Sequence, residues 1–140
     1  RRRNRAVARI LVDTSAVYAL VDRSDRWHST AKAALESLRS ARSEPLLTNF
    51  ILAECHALLL ARLGAPLARN WLLGNVWAVQ RVTADDEGEA ISIVSQYSDK
   101  TFSYADATSF AVMERLRIRR AFAFDPHFRQ YGFQVVGLPA

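Results

Sequence analysis

The sequence is poor in cysteine and glycine and has no long apolar run, and each shortage excludes a class of protein. Cys55 is the only cysteine, which rules out an intramolecular disulfide or a cysteine-ligated metal cluster and fits a reducing, cytoplasmic setting. The five glycines form neither a phosphate-binding loop nor a dinucleotide fingerprint. There is no Gly-x-Ser-x-Gly elbow and no evident base for Cys55, so covalent hydrolase chemistry is not expected. No segment approaches the ~20 apolar residues of a membrane-spanning helix.

Basic residues are abundant, and nearly all of them are arginine. The chain has a net charge of +5, and only Lys32 and Lys100 of its 19 basic residues are lysine. The guanidinium group matches phosphate oxygens, so an arginine-rich surface suits a phosphate-containing partner, although charge alone is also compatible with simple solubility. We predict a disordered basic tail at residues 1–8, followed by a single domain at residues 9–140.

Short apolar runs alternate with amphipathic segments along the chain. The pattern predicts strands at about residues 10–12, 46–48, 76–82, 121–124 and 134–136. It predicts helices at about residues 15–20, 27–38, 49–63, 66–73, 83–96, 104–117 and 126–131. Because strands separated by helices form parallel βαβ units, we expect an α/β fold, specifically a three-layer α/β/α sandwich with a mainly parallel central sheet.

Four acidic residues follow the predicted strands or lie in the helices next to them: Asp13, Glu54, Asp106 and Asp125. The carboxyl ends of parallel strands form the sheet edge at which ligands bind. Taken alone, three of these acids also fit a structural role. Asp13 precedes a helix, Asp106 follows Ser103 at capping-box spacing, and Asp125 precedes a proline.

Glu54 is harder to explain by structure alone. Its helical neighbours at three and four positions are Phe50, Ile51, Ala57 and Leu58, so we expect it on the inward face of its helix. A buried unpaired carboxylate costs several kcal/mol, and Arg62 lies two turns away. The sequence therefore predicts a hard divalent cation, Mg²⁺ or Mn²⁺, shared by the four carboxylates. Such a site supports phosphodiester hydrolysis, with arginines outside it holding phosphates.

Four segments in the same order resemble the PIN-domain ribonucleases, and specifically the VapC toxins of toxin–antitoxin pairs. They are ILVDTSA at residues 10–16, TNFILAE at 48–54, DKTFSYADATSFAVM at 99–113, and AFDPHF at 123–128 with Gly132 and Phe133. The third segment is the most telling. Together they cover the chain from about residue 9 to its end.

The resemblance implies a metal-dependent endoribonuclease toxin. Asp13, Glu54, Asp106 and Asp125 would be the acidic quartet around Mg²⁺ or Mn²⁺. Ser15 would orient the first acid, Ser103 would support the site, and Asp99 would be an outer acid. The family also implies an RNA substrate, a homodimer, and a small VapB-like antitoxin that presses an arginine into the acidic site.

Other interpretations differ at particular residues. A haloacid-dehalogenase-like phosphatase would need a second Asp where Ser15 stands, and a receiver domain would need a Lys after a late strand. His28, His56 and His127 do not form a ligand set. Trp27, Trp71 and Trp77 are interpreted as core or interface anchors, with stacking on RNA bases as the alternative for one of them. The main alternative function is a PIN-like module that binds RNA or protein and catalyses little.

Overall fold

The computed structural model describes residues 8–140. The predicted basic tail therefore lies, except for Ala8, outside the described residues. The strands are β1 (Arg9–Val12), β2 (Glu44–Thr48), β3 (Ala78–Gln80), β4 (Arg120–Ala123) and β5 (Gln134–Gly137). The helices are α1 (Thr14–Val21), α2 (His28–Ser40), α3 (Asn49–Leu63), α4 (Ala65–Gly74), α5 (Ala84–Gln96), α6 (Tyr104–Leu116) and α7 (His127–Tyr131).

The five strands form one sheet in the order β3-β2-β1-β4-β5, and every pair is parallel. The chain builds outward from β1 to β3, then crosses back to add β4 and β5 on the other side. Because parallel crossovers are right-handed, this reversal places α1–α4 on one face and α5–α7 on the other. The predicted α/β sandwich is confirmed, and its sheet is entirely parallel.

The core lies between the sheet and these two helical layers. The central strand β1 is buried over Ile10, Leu11 and Val12, and β4 is buried over Ala121, Phe122 and Ala123. Strands covered on both faces read as continuous apolar runs, which is why these segments were recognisable in the sequence. Within residues 8–140, no helix has both the length and the apolar character needed to cross a membrane.

The third strand is shorter than predicted because two asparagines engage the backbone at its flanks. Asn75 Nδ2 donates to the carbonyl of Trp77, and Asn75 Oδ1 accepts from the Trp77 N–H. At the other end, the Val82 N–H donates to Asn49 Oδ1 at 2.8 Å. Backbone groups bonded to side chains do not extend the ladder. Only Ala78–Gln80 therefore pairs with β2.

An ion pair between Arg115 and the buried Asp86 joins α6 to α5. Thr83 and Asp86 form a capping box at the start of α5, and Asp86 is only 3 % exposed. Arg115, near the end of α6, donates from Nε to Asp86 Oδ1 at 2.8 Å and from Nη2 to Oδ2 at 2.7 Å. This pair of bonds from Arg115 lowers the pKa of the Asp86 carboxyl.

Candidate active site

The four predicted acids all line one cavity of about 620 Å³ at the carboxyl edge of the sheet. Asp13 directly follows β1, and Asp125 lies just beyond β4. These two strands are neighbours at the point where the chain reverses its direction of travel across the sheet. Open α/β sheets bind ligands at such a switch point, because the loops leaving the two strands diverge there.

Asp13 is the buried acid of this cavity, with an exposure of 7 %. It is the N-cap of α1, and its Oδ2 accepts from the Ser15 N–H at 3.2 Å and from the Ser15 hydroxyl at 2.6 Å. The Ser15 hydroxyl in turn accepts from the Phe124 N–H at 2.9 Å. Since Ser15 has one proton to donate, this arrangement directs it to Asp13 and ties the end of β1 to the end of β4.

The environment of Asp13 disfavours its charge. Burial raises the pKa of the Asp13 carboxyl from 3.8 to about 7, against the opposing effect of the two Ser15 hydrogen bonds. The negative charges of Asp106 and Asp125 raise it further. A carboxylate held in this way is stabilised by a bound cation, which removes both the desolvation cost and the repulsion.

Asp106 and Asp125 are joined by a histidine that the sequence did not identify. His127 Nδ1 lies 2.7 Å from Asp106 Oδ2 and 3.0 Å from Asp125 Oδ1, while Nε2 lies 3.2 Å from Thr101 Oγ1. A ring nitrogen beside carboxylate oxygens carries the proton, so Nδ1 donates to Asp106 Oδ2 and lies within ion-pair distance of Asp125 Oδ1. The signal available in the sequence was the position of His127, two residues after the acid that follows β4.

Glu54 does not occupy the position predicted for it. We expected it to be buried on the inward face of α3, and this is wrong, because Glu54 is exposed. The buried stripe of α3 is Ile51, Cys55 and Leu59. Glu54 lies beside this stripe, at the mouth of the cavity, where its Oε1 accepts from the Thr14 hydroxyl at 2.6 Å. Because Glu54 is exposed, its burial does not require a cation, and the buried acid of the cavity is Asp13.

Each of the four acids uses one carboxylate oxygen for a hydrogen bond or ion pair that orients it. Throughout residues 8–140, the second oxygen of each (Asp13 Oδ1, Glu54 Oε2, Asp106 Oδ1 and Asp125 Oδ2) accepts no hydrogen bond. No buried side-chain oxygen or nitrogen among these residues lacks a partner, so the four free oxygens keep contact with solvent. Carboxylate oxygens of this kind are the ligands that Mg²⁺ and Mn²⁺ prefer.

The donor chemistry therefore fits a hard divalent cation, although the acids are not yet gathered around one point. Within the described part of the chain, no group of three or more Asp, Glu, His or Cys side chains could hold a metal ion as it stands. The imidazole of His127 lies against Asp106 and Asp125. A cation shared by the quartet would require the side chains to move toward it.

The supporting residues are placed unequally. Ser15 and Ser103 line the cavity, and Ser103 also forms a capping box with Asp106, donating its N–H to Asp106 Oδ2 and accepting the Asp106 N–H. Asp99 is not brought to the cavity: its side chain is 73 % exposed and pairs with Lys100 at 2.8 Å. Arg62, which seemed distant in sequence, lines the same cavity as Glu54.

If the site cleaves RNA as the sequence predicts, replacing His127 with alanine is expected to lower that activity by about 10- to 100-fold with little loss of fold, because Asp106 and Asp125 lose the imidazole that lies between them. His127→Gln retains an N–H donor and should recover part of the activity. Rates under single-turnover conditions provide the measurement, and His56→Ala, outside the cavity, is the control. Equal rates for His127→Ala and His56→Ala would show that the bridge does not position the acids.

Comparison with known proteins gives a consistent result. The family model described as PIN domain matches residues 10–134. The chain is 38 % identical over 130 residues to the 23S rRNA-specific endonuclease VapC20 of Mycobacterium tuberculosis, covering 89 % of this chain and 95 % of the relative. It is 28 % identical over 119 residues to Ribonuclease VapC26 of Mycobacterium tuberculosis (strain ATCC 25618 / H37Rv), covering 83 % and 86 %.

Solved structures show the same fold. The crystal structure of Mycobacterium tuberculosis VapC20, described as a sarcin–ricin loop cleaving toxin, superposes with a TM-score of 0.78 at 36 % identity, over 89 % of this chain and 95 % of that one. FitAcB from Neisseria gonorrhoeae superposes with a TM-score of 0.69 at 16 % identity, over 90 % and 95 %. The second likeness concerns the fold alone.

Proposed function

This chain belongs to the PIN domain family and is a VapC-type toxin, and from that premise we propose that it is a metal-dependent endoribonuclease. Its reaction is the hydrolysis of an RNA phosphodiester bond. Asp13, Glu54, Asp106 and Asp125 are the proposed catalytic residues and the proposed ligands of Mg²⁺ or Mn²⁺. The observation that carries this proposal is the shared cavity, in which all four acids are oriented and each keeps one oxygen free.

The residues of the chain prepare this site in three ways. Ser15 holds Asp13 and links the two strand ends, Thr14 holds Glu54, and His127 holds Asp106 beside Asp125. Together these bonds orient carboxylates that repel one another. A divalent cation bound there would polarise the phosphodiester and stabilise the charge that develops on its oxygens. Because Asp13 is only 7 % exposed at the switch point, its interaction with a cation would be weakly screened by water and therefore strong.

The substrate and partners follow from the relatives by analogy. Since VapC20 is a 23S rRNA-specific endonuclease and a sarcin–ricin loop cleaving toxin, we propose a structured ribosomal RNA loop as the substrate and the cytoplasm as the place of action. We also propose a homodimer and inhibition by a VapB-like antitoxin. The exposure of Leu73 and Val76, at 77 % and 89 %, supports a surface that another chain covers.

The proposal predicts that both activity and stability depend on metal. An RNA hairpin containing the sarcin–ricin loop should be cleaved with Mg²⁺ or Mn²⁺ and remain intact with EDTA. Mn²⁺ at ~100-fold excess over its Kd should stabilise the fold by about 2.7 kcal/mol, measured as a rise in Tm. Asp106→Asn should lose both effects, and Asp85→Asn, on the exposed first turn of α5, should retain them.

One observation favours a second function. Because no three acids of the described residues are spaced to share one metal ion in the present side-chain positions, a PIN-like module that binds RNA without cutting it is the alternative. RNA binding by the wild-type protein with no cleavage, and with no Mn²⁺ effect on Tm, would favour that module and contradict the proposed nuclease.

A further inference from the structure

The acidic cavity carries two arginines that do not pair with its acids. Arg26 comes from the loop between α1 and α2, and Arg62 comes from the last turn of α3. Among residues 8–140, neither guanidinium forms an ion pair with a carboxylate, although five acids, including Asp25, line the same cavity. Exposed arginines beside a cluster of acids are expected to pair with them. Other contacts must therefore position the side chains of Arg26 and Arg62.

Each arginine is held on an aromatic ring. The Arg26 guanidinium carbon lies 4.6 Å from the centre of the Trp27 ring, and that of Arg62 lies 5.2 Å from the centre of the Tyr18 ring. A guanidinium stacked on a ring is bound through its face, so its N–H donors remain available around its edge. Each ring therefore helps to fix the position of a positive charge that, among residues 8–140, no carboxylate pairs with.

Both rings are themselves anchored to the site. Trp27 stacks on Phe124 with centroids 5.2 Å apart and an angle of 19°, and Phe124 directly precedes Asp125. The loop that carries Arg26 is fixed because Asp25 Oδ2 accepts the Trp27 N–H at 2.9 Å. The Tyr18 hydroxyl donates to Asp22 Oδ2 at 2.5 Å. The two arginines are thus pre-positioned around the acids, as phosphate-binding groups need to be.

We propose that Arg26 and Arg62 bind two RNA backbone phosphates on either side of the bond that the acidic centre cuts. The proposal rests on the proposed function for the identity of the polymer. An RNA strand entering this cavity brings negative charge toward at least four carboxylates, and two guanidinium groups at the rim offset that repulsion. Planar guanidinium edges match phosphate oxygens in pairs, which also fixes the register of the strand.

The test measures RNA binding separately from cleavage. Full-length protein is titrated into a fluorescein-labelled hairpin containing the sarcin–ricin loop, in EDTA, so that the RNA stays intact whatever the activity. Arg26→Gln and Arg62→Gln should each weaken binding about tenfold, and each should reduce the slope of log K against log salt concentration by about 0.7. Arg69→Gln, an exposed arginine on α4 outside the cavity, removes the same charge and should leave binding within about twofold.

The aromatic rings provide a second comparison. Tyr18→Leu removes the ring beneath Arg62 and should weaken binding about threefold, whereas Tyr18→Phe keeps the ring but loses its bond to Asp22, and should weaken binding less than Tyr18→Leu does. Equal affinities for Arg26→Gln, Arg62→Gln and Arg69→Gln would overturn the proposal, because they would show that the two cavity arginines contribute no more to RNA binding than an arginine elsewhere. A further outcome is that the wild type binds RNA, with weaker binding by Arg26→Gln and Arg62→Gln, and yet does not cleave it in the presence of Mn²⁺. That result would contradict the proposed nuclease activity and support the two phosphate-binding sites.

Discussion

Replacing Asp13 with asparagine is expected to abolish RNA cleavage and also to stabilise the metal-free protein at neutral and alkaline pH. Asparagine retains an oxygen that can accept the Ser15 hydroxyl, but it cannot supply a carboxylate to a cation. We expect cleavage to fall by about 100-fold or more. The opposite change in stability follows from burial, which raises the pKa of Asp13 from 3.8 to about 7.

The pH dependence has a definite sign. Between about pH 4 and pH 7, the folded protein retains a proton on Asp13 that the unfolded chain has released. Folding stability therefore falls as pH rises through this range. Because one pKa unit corresponds to about 1.4 kcal/mol, the contribution lost by pH 8 is about 4 kcal/mol. Asparagine does not titrate, so the free energy of unfolding of Asp13→Asn should rise relative to that of the wild type by about this amount as the pH increases.

Urea unfolding in EDTA at pH 5 and pH 8 measures about two-thirds of this change, ~2.7 kcal/mol, because the remainder is already lost by pH 5. The matched control is Asp85→Asn, which neutralises an exposed carboxylate on α5. Adding Mn²⁺ at pH 8 should stabilise the wild type and leave Asp13→Asn unchanged. The difference in free energy of unfolding between the two proteins should then become smaller or change sign. An Asp13→Asn protein that is no more stable than the Asp85→Asn control at pH 8 would show that burial does not penalise the Asp13 charge.

This pairing of lost activity with gained stability explains why the site has to be built by the surrounding fold. Asp13 is held at the end of β1 by the buried run of Ile10, Leu11 and Val12, by its bonds from Ser15 of α1, and by its own N–H, which donates to the carbonyl of Phe122 in β4. Those contacts fix a carboxylate in a position where its charge is unfavourable without a cation. The stability of the apolar strands thus offsets the local cost of the charge on this proposed catalytic acid.

Most of the fold could be predicted because its signals are local. Apolar runs specified the strands, and Thr48, Thr83 and Ser103 accept the hydrogen bonds that begin α3, α5 and α6. The order of the strands has no local signal, since it depends on the chain crossing from β3 back to β4. The hydrogen bond between Asn49 and Val82, which are 33 residues apart, also has no signal in the sequence. It is one reason why β3 is shorter than predicted.

The site was predicted by residue type, and the details that failed depend on tertiary contacts. The four acids share a cavity because strand ends of a parallel sheet meet at one edge. Helical periodicity misplaced Glu54, since it could not show which of two adjacent stripes of α3 faces the sheet. His127 was also missed, because its partners Asp106 and Thr101 are more than 20 residues away and their contact leaves no pattern in the sequence.

Asp86 shows the same limit at a structural position. The acids at residues 85–87 all lie in the first turn of α5, where the helix dipole attracts negative charge, so the sequence pattern makes them equivalent. In the structure they differ, because Asp85 is exposed while Asp86 is buried against Arg115. A sequence pattern indicates a capping position, but it does not indicate which carboxylate a distant arginine will reach.

Arg115→Ala is therefore expected to be among the most destabilising substitutions on the surface, because it leaves the Asp86 carboxyl buried without its cation. Breaking a fully buried pair costs about 3–5 kcal/mol; since the Arg115 side chain is 36 % exposed, we expect about 2–4 kcal/mol at pH 7. Arg69→Ala, an exposed arginine on α4, should change the free energy of unfolding by less than about 0.5 kcal/mol.

The pH dependence separates this ion pair from simple packing of the arginine stem. Arg115 lowers the pKa of Asp86 below its value in the unfolded chain, so the pair contributes its stability above that unfolded value. The contribution is lost as pH falls through the lowered pKa and Asp86 takes up a proton. The difference in free energy of unfolding between the wild type and Arg115→Ala should therefore be smaller in acid than at neutral pH. Urea unfolding of both proteins at pH 7 and near pH 3 measures it. A difference that is the same at both values would assign the effect to packing between α5 and α6.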